Sequence, residues 1–530
     1  MSRTNVSLVL LALVGCGPSL PRATGEIPPL DVEENVQDVV VDTTTPIERE
    51  DLGVAQLVEA RSASPIVTIR VVFDVGSAED PEGKEGLARL AARLRVEGGA
   101  GDRSYAELVR ALYPMAGTIE ASVSREQTAF VGRVHRDHVD AFYAIFRDVL
   151  ARPRYDARDF ERLLARAKSA LSLELRGSDD ETLGKELLHA MLYEGHPYGH
   201  PELGTERGLD AITRADVLDF GARFHCGGRA VIGLAGAYPE GLAARVMEDL
   251  AGLDSERCLG RRVLPTPATP GPRVWLADKP DAQSVAMSLG VPLEVTRDHP
   301  DYPALTLAAA WLGAHRTFAG YLMNEMRGKR GLNYGDYAYA EHFEQEGWSR
   351  FPAPHTARRQ QYFSFWIRPV PREKAHFALR FAVRSFREQI ARGMTQADFE
   401  RIRTFVDGYF ALYLQTESRA LGFAVDDRFY DTADPWLQSL RAAWRELTVE
   451  QVNAALRRHV DPAQLQIALV TSDAAAFADQ LASEAESPMR HAGATVPDDV
   501  RALDEEVARY RIGIPRERMR VIPANELFAR

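Results

Sequence analysis

The stretch YDARDFERLLARAKSALSLEL, residues 155–175, returns in altered form as MTQADFERIRTFVDGYFALYL, residues 394–414. Asp159-Phe160-Glu161-Arg162 becomes Asp398-Phe399-Glu400-Arg401, an offset of 239 residues. A second match lies in the same order: Ile212-Thr213-Arg214-Ala215-Asp216-Val217 against Leu447-Thr448-Val449-Glu450-Gln451-Val452, offset by 235. Each of these precedes a helical segment and then an apolar strand, AVIGLAGAY (230–238) or LQIALVTSD (465–473). The openings agree too. A strand, IVTIRVVFDVG or SVAMSLGVPLEV, leads through an acidic turn to a helix, GLARLAARL (86–94) or ALTLAAAWLG (304–313). Three ordered matches at similar offsets point to a duplicated unit.

Two homologous domains are therefore expected, at 52–255 and 273–475, joined by a linker over 256–272 that contains the Pro-rich VLPTPATPGP, with an extension over 476–530. Strands and helices do not alternate as strict βαβα units. The expected fold is α+β, each domain a largely antiparallel sheet with helices packed on one face.

The N-terminus, MSRTNVSLVLLALVGC, has a basic start at Arg3 and an apolar run from Val6 to Val14 that is too short to span a bilayer. It predicts an export signal over 1–16. Leu13-Val14-Gly15-Cys16 resembles the bacterial lipobox, which implies lipid on Cys16, a tether rather than a span, and a place on the periplasmic side of the envelope. Residues 17–51, rich in Pro, Thr and acids, predict a flexible spacer. Of the remaining cysteines, Cys226 and Cys258 are either bonded to one another or two unpaired thiols. The net charge of −12, without a long basic run, excludes nucleic acid as a partner.

The chain lacks a phosphate loop, a GxSxG elbow and a His-Glu-x-x-His helix. His135 and His138 have no carboxylate or cysteine at ligand spacing and are expected to be surface residues. The two histidines of GHPYGHP (195–201) sit among turn formers and are expected to shape a turn.

The duplication, the strand, acidic turn and GLAxLxxxL helix, the GHPYGHPELGT loop and the RGKRGLNYG segment together resemble the insulinase/pitrilysin family of zinc metallopeptidases, which includes the mitochondrial processing peptidases. That resemblance implies an inverted zinc motif, His-x-x-Glu-His, on the first-domain helix. Here Gly86-Leu87-Ala88 keep the frame, but Arg89 and Arg93 stand at the histidine positions and Ala92 at the glutamate. A guanidinium has no lone pair for a metal, and alanine takes no proton from water. The family's third ligand, seven residues beyond the glutamate of a Glu-Arg pair, falls on Lys168 when counted from Glu161; Glu174 substitutes if the helix register differs. Arg89 and Arg93 are either solvated, with Glu85 pairing to Arg89 across one turn, or a basic wall for a peptide carboxylate. The family's substrate-holding arginine and tyrosine, seven apart, match Arg327 and Tyr334. The resemblance thus implies a chain that is not an enzyme alone and carries no zinc. It would be a substrate-binding subunit for peptides or unfolded protein, with zinc in a homologous partner. A stand-alone peptide-binding lipoprotein and an active peptidase with replaced ligands are the alternatives.

Overall fold

The computed structural model describes residues 27, 29–30, 47–253, 255–344, 353–433, 435–491 and 496–530. The expected export signal, Cys16 and most of the spacer lie outside the described residues.

Two sheets carry the architecture. The first is built from β1 (Gln56–Arg61), β2 (Ile66–Phe73), β3 (Thr118–Val123), β4 (Thr128–His135) and β5 (Ala230–Gly236), in the order β1-β5-β2-β4-β3. The second contains β6 (Arg273–Asp278), β7 (Val285–Leu293), β8 (Asp336–Tyr339), β9 (Gln361–Val370) and β10 (Gln466–Thr471), in the matching order β6-β10-β7-β9-β8. β1 runs parallel to β5, and β6 parallel to β10. The other pairings within each repeat are antiparallel. The two repeats thus share one topology, as the sequence matches require. A last strand, β11 (Met519–Pro523), joins parallel to β6, so the C-terminal extension completes the second sheet.

β2 reads IVTIRVVF, and all but its first residue are buried. A strand buried along nearly its whole length must be covered on both faces. One face packs on helices of its own repeat. The other takes a helix from the opposite repeat: Glu417–Phe429 lies on β5 and β1, with Leu421, Val425 and Phe429 against Val72, Ala129, Val231 and Ala235. The exchange is reciprocal, because the helix Asp180–Leu192 of the first repeat lies on β7 and β10. At Gly233 of β5 a Cβ would come within 2.7 Å of Val425 Cγ2, so glycine is what lets the borrowed helix seat. Helices therefore cover both faces of the first sheet, one more layer than the sequence pattern suggested.

The repeated motifs serve the same local purpose in both halves. Thr213 and Thr448 cap helices Arg214–Phe224 and Val449–His459 with reciprocal capping boxes to Asp216 and Gln451. Among the described residues no helix is long and apolar enough to cross a membrane.

Cys226 and Cys258 form a disulfide, which ties the entrance of β5 to the linker across a sequence separation of 32. Closing a loop of that length restricts the unfolded chain. Reduction, or Cys226→Ala with Cys258→Ala, is expected to cost about 3–4 kcal/mol in the chain-entropy picture. Urea unfolding with and without reductant checks this; an unchanged midpoint would mean that the unfolded chain is not restricted by the bond.

Candidate functional site: the first-domain helix and its acidic surround

The helix Leu87–Glu97 begins at Gly86, whose φ of +103 suits glycine alone. A Cβ there would lie 3.0 Å from Leu203 O and from Leu209 Cδ2. Gly204 is equally constrained, since its Cβ would fall 2.2 Å from Glu85 O. The two glycines clasp the Glu202-Leu203-Gly204-Thr205 loop against the start of the helix, and Asp80 accepts the Gly86 and Ala88 amides at 2.7 Å each. This framework explains why the motif's frame persists: it is packing, not chemistry.

The chemical positions are occupied differently. Ala92 is fully buried. Arg93 donates to Glu97 at 2.9 Å, and Glu97 also receives Arg162 at 3.1 Å. Against the effect of burial, those two guanidiniums hold the Glu97 carboxyl below its ordinary value. Lys168 pairs with Asp210 at 2.6 Å. Arg89 is half-buried and makes no hydrogen bond or ion pair among the described residues. Burial pushes its guanidinium down, opposed by Glu202 first, then by Glu344 and Glu174, while Arg93 adds to the depression.

The expected Glu85–Arg89 pair is not formed. Glu85 precedes the helix, in a turn where its carboxylate accepts Gly83 N at 2.7 Å and the Thr205 hydroxyl at 2.9 Å, so the one-turn helical spacing does not exist. Nor do the two arginines make one basic wall. Arg93 is already neutralised by Glu97, and Arg89 stands among carboxylates. Glu174 lies exposed on a π-helical turn, Ala170–Leu175, whose wider winding changes the register after Ala170. It acts on Arg89 electrostatically. One carboxylate, two guanidiniums and a paired lysine do not fit a zinc ion, which wants three lone-pair donors and an open position.

Behind this site the two domains meet through buried charge. Arg125 donates to Glu186 at 2.9 Å and approaches His189 Nδ1 at 3.3 Å; Arg358, from the second domain, reaches His189 Nε2 at 2.9 Å. Burial and the two cations hold His189 neutral, well below its ordinary value. Burial pushes the Glu344 carboxyl up, reinforced by Glu202 and opposed by Arg358 and Arg89. The roles of Glu202, Glu344, Arg125 and Arg358 were not read from sequence, because their partners are distant along the chain and no motif marks them.

In the second domain Arg327 closes a π-helical turn, Met323–Gly328, and donates to the carbonyl of Tyr334 at 3.1 Å. Its guanidinium lies 4.3 Å from the centre of the Tyr334 ring and 5.3 Å from that of Phe318. Tyr334 and Phe318 are 69% and 52% exposed, so the arginine is held between two accessible rings. Phe318 was missed; a lone phenylalanine in a loop has no signature.

The four histidines singled out in the sequence, His135, His138, His196 and His200, behave as surface and turn residues. His196 accepts the Tyr198 amide at 3.0 Å, and burial pushes both His196 and His200 down to about 4. His135 and His138 lie at the end of β4, His138 exposed. Among the described residues, His299, Asp301 and His459 bring three metal-type ligand atoms within 4.8 Å of one another. The Asp301 carboxylate there already receives Arg458 at 2.6 Å and His459 at 2.7 Å, beside the start of the helix Tyr302–Gly313.

Two family models match the chain in succession, insulinase (peptidase family M16) over residues 56–206 and the peptidase M16 inactive domain over 211–406. An uncharacterised zinc protease of Mycobacterium bovis is 26% identical over 301 residues, 56% of this chain and 66% of that protein. The mitochondrial-processing peptidase subunit beta of Dictyostelium discoideum is 25% identical over 192 residues, 36% of this chain and 40% of its own length. The crystal structure of a peptidase M16 inactive domain from Pseudomonas fluorescens superposes with a TM-score of 0.67 at 22% identity, covering 81% of this chain and 98% of that one. A protease from Helicobacter pylori gives 0.65 at 17% identity, covering 80% and 100%. Matched in both halves by models of one family, the chain belongs to the insulinase family of peptidases, M16.

Proposed function

We propose that this chain is the non-catalytic, substrate-binding subunit of an exported insulinase-like metallopeptidase complex, with zinc and the general base in a homologous partner. The carrying observation is the helix Leu87–Glu97, which keeps its structural frame while Arg89, Ala92 and Arg93 fill the positions of ligands and base. The similarity to a mitochondrial-processing peptidase beta subunit, and to an alpha subunit from Caenorhabditis elegans at 25% identity over 172 residues, supports a partnership between homologous chains. Lipid on Cys16 would hold the complex at the periplasmic face of the envelope, and peptides or unfolded segments would be its substrates.

In this reading Arg327 and Tyr334 hold the substrate backbone. Stacking between Phe318 and Tyr334 pre-orients the guanidinium, and the donors not spent on the Tyr334 carbonyl are available to a peptide carbonyl. Charge-assisted hydrogen bonds are worth about 1.5–3 kcal/mol, so Arg327→Ala is expected to lower peptide cleavage by the complex about 10- to 100-fold with assembly unchanged. Tyr334→Phe removes one hydroxyl and should cost about tenfold or less. Unchanged cleavage in both would remove these residues from substrate binding.

The complex itself is tested by isolating the native, C-terminally tagged chain and measuring mass and zinc together. A second, similar-sized chain with about one zinc per pair is expected. A metal-free chain alone would favour a stand-alone peptide-binding lipoprotein, and zinc on this chain alone would overturn the reading.

A further inference from the structure

The second domain contains a cavity of about 150 Å³ where the duplication puts the counterpart of the first-domain helix site. The helix Tyr302–Gly313 packs on β8 and on helices Gln396–Tyr413 and Val449–His459. Leu87–Glu97 packs in the same way on β3, Ala157–Ser169 and Arg214–Phe224. Thr306, Ala309 and Ala310 line the cavity, with the spacing that Arg89, Ala92 and Arg93 have on their own helix. The 239-residue offset between the DFER segments carries Glu174 to Tyr413, which also lines it. The counterpart of the first-domain helix and the counterpart of Glu174 thus both contribute to the walls of this cavity.

On the helix side Thr306, Ala309 and Ala310 are small and Tyr302 adds a ring; elsewhere the lining is largely aromatic, with His315 and His342 among it. Phe405, Tyr409, Trp436 and Trp444 form much of the wall. Arg297, also at the lining, is bonded to Glu341 through Nε at 3.1 Å and Nη2 at 3.0 Å, and lies 4.2 Å from the centre of the Trp436 ring. Its Nη1 is 3.7 Å from Asp426 and has no hydrogen-bond partner among the described residues. With Glu341 and Asp426 beside it the arginine is already neutralised, so an anion gains little there. A neutral group with an acceptor oxygen can use the unspent donor without adding charge. An apolar cavity of this size admits one benzene-sized ring.

We propose that this cavity is a binding site for a single neutral aromatic ring bearing a hydrogen-bond acceptor. The ring comes either from a free small molecule or from an aromatic side chain of a bound peptide. The site does not depend on the zinc partner, and it is tested on this chain alone.

Isothermal titration of the full chain with benzamide should give saturable, one-to-one binding, and the ringless control acetamide none. Ala310→Phe, which fills the cavity from its half-buried side, should weaken benzamide about tenfold or more while the melting curve stays cooperative. If that variant does not fold, Phe405→Ala, which removes a wall, should weaken it instead. N-acetyltyrosinamide, whose ring carries an acceptor oxygen, separates the sources: binding comparable to benzamide assigns the ring to a peptide side chain, and its failure beside bound benzamide assigns it to a free small molecule. Absence of saturable binding at about 1 mM, or equal affinity in the wild type and the folded variant, overturns the proposal.

Discussion

Replacing Arg359 with methionine is expected to lower folding stability at neutral pH by about 3–5 kcal/mol, the usual consequence of removing one partner from a buried ion pair. Arg359 comes from the second domain and closes on two carboxylates of the first, Glu126 at 3.0 Å and Asp74 at 3.2 Å. Its backbone amide donates to Glu126 at 2.9 Å as well, and its guanidinium lies beside the rings of Phe429 and Tyr430 on the exchanged helix and just after it. Glu126 is 5% exposed. Burial pushes its carboxyl up, and Arg359 is the main opposing influence. Without the arginine, that carboxyl rises further above its unfolded value. The penalty is then fully present above the folded pKa and is relieved as pH falls toward the ordinary carboxylate range. Urea unfolding at pH 7.5 and pH 5 should therefore show a large deficit that narrows in acid, and adding Glu126→Gln should recover part of it. A loss under about 1 kcal/mol, the worth of a surface pair, would mean that the contact is solvated and does not fasten the domains.

The duplication was legible because it is written in local signals: the DFER helices, the Thr-capped helices and the strand that precedes each opening helix. The helix exchange was not. Residues 180–192 and 417–429 are amphipathic segments whose apolar faces fit any sheet, and nothing local says which sheet takes them. A clue lay in β2, whose unbroken burial asks for a second covering layer. The substitution of Arg89, Ala92 and Arg93 was legible residue by residue, since each position has a required chemistry. What surrounds Arg89 was not, because Glu202 and Glu344 reach it from a loop and from the other domain. The Glu85–Arg89 expectation failed for a related reason. It assumed that the helix began before Gly86, whereas the left-handed glycine starts it there.

The two domains resolve the same inherited arrangement differently. In the first, cations and carboxylates share the old site, held by a glycine clasp and by ion pairs that cross to the second domain. In the second, the corresponding helix is small and apolar, and its neighbours supply rings. Neither arrangement involves the half-buried Arg327 or the exposed Tyr334 and Phe318 rings beside it.

That group sits next to a buried carboxyl, and pH should reveal it. Asp336, two residues beyond Tyr334 on β8, is fully buried. One oxygen accepts Asn333 Nδ2 at 2.6 Å, and the other has no hydrogen-bond partner among the described residues. Burial pushes the carboxyl up to about 8, opposed by Asn333 and then by Arg327. Because the folded value is above the unfolded one, the contribution of Asp336 to stability is complete in acid and is lost as pH rises from the ordinary carboxylate value toward 8. At about 1.4 kcal/mol per pH unit, the loss between pH 5 and pH 8 amounts to roughly 4 kcal/mol. Asp336→Asn keeps an acceptor for Asn333 and carries no charge, so it should remove this slope and make the protein more stable than the wild type at pH 8. Urea unfolding of both proteins at pH 5, 6.5 and 8 is the measurement. A variant less stable than the wild type at every pH would mean that Asp336 is ionised in the fold, with Arg327 as its counterion. Peptide binding through Arg327 and Tyr334 would then lose its support when Asp336 is replaced, whereas a neutral Asp336 predicts that Asp336→Asn leaves binding intact and extends it to higher pH.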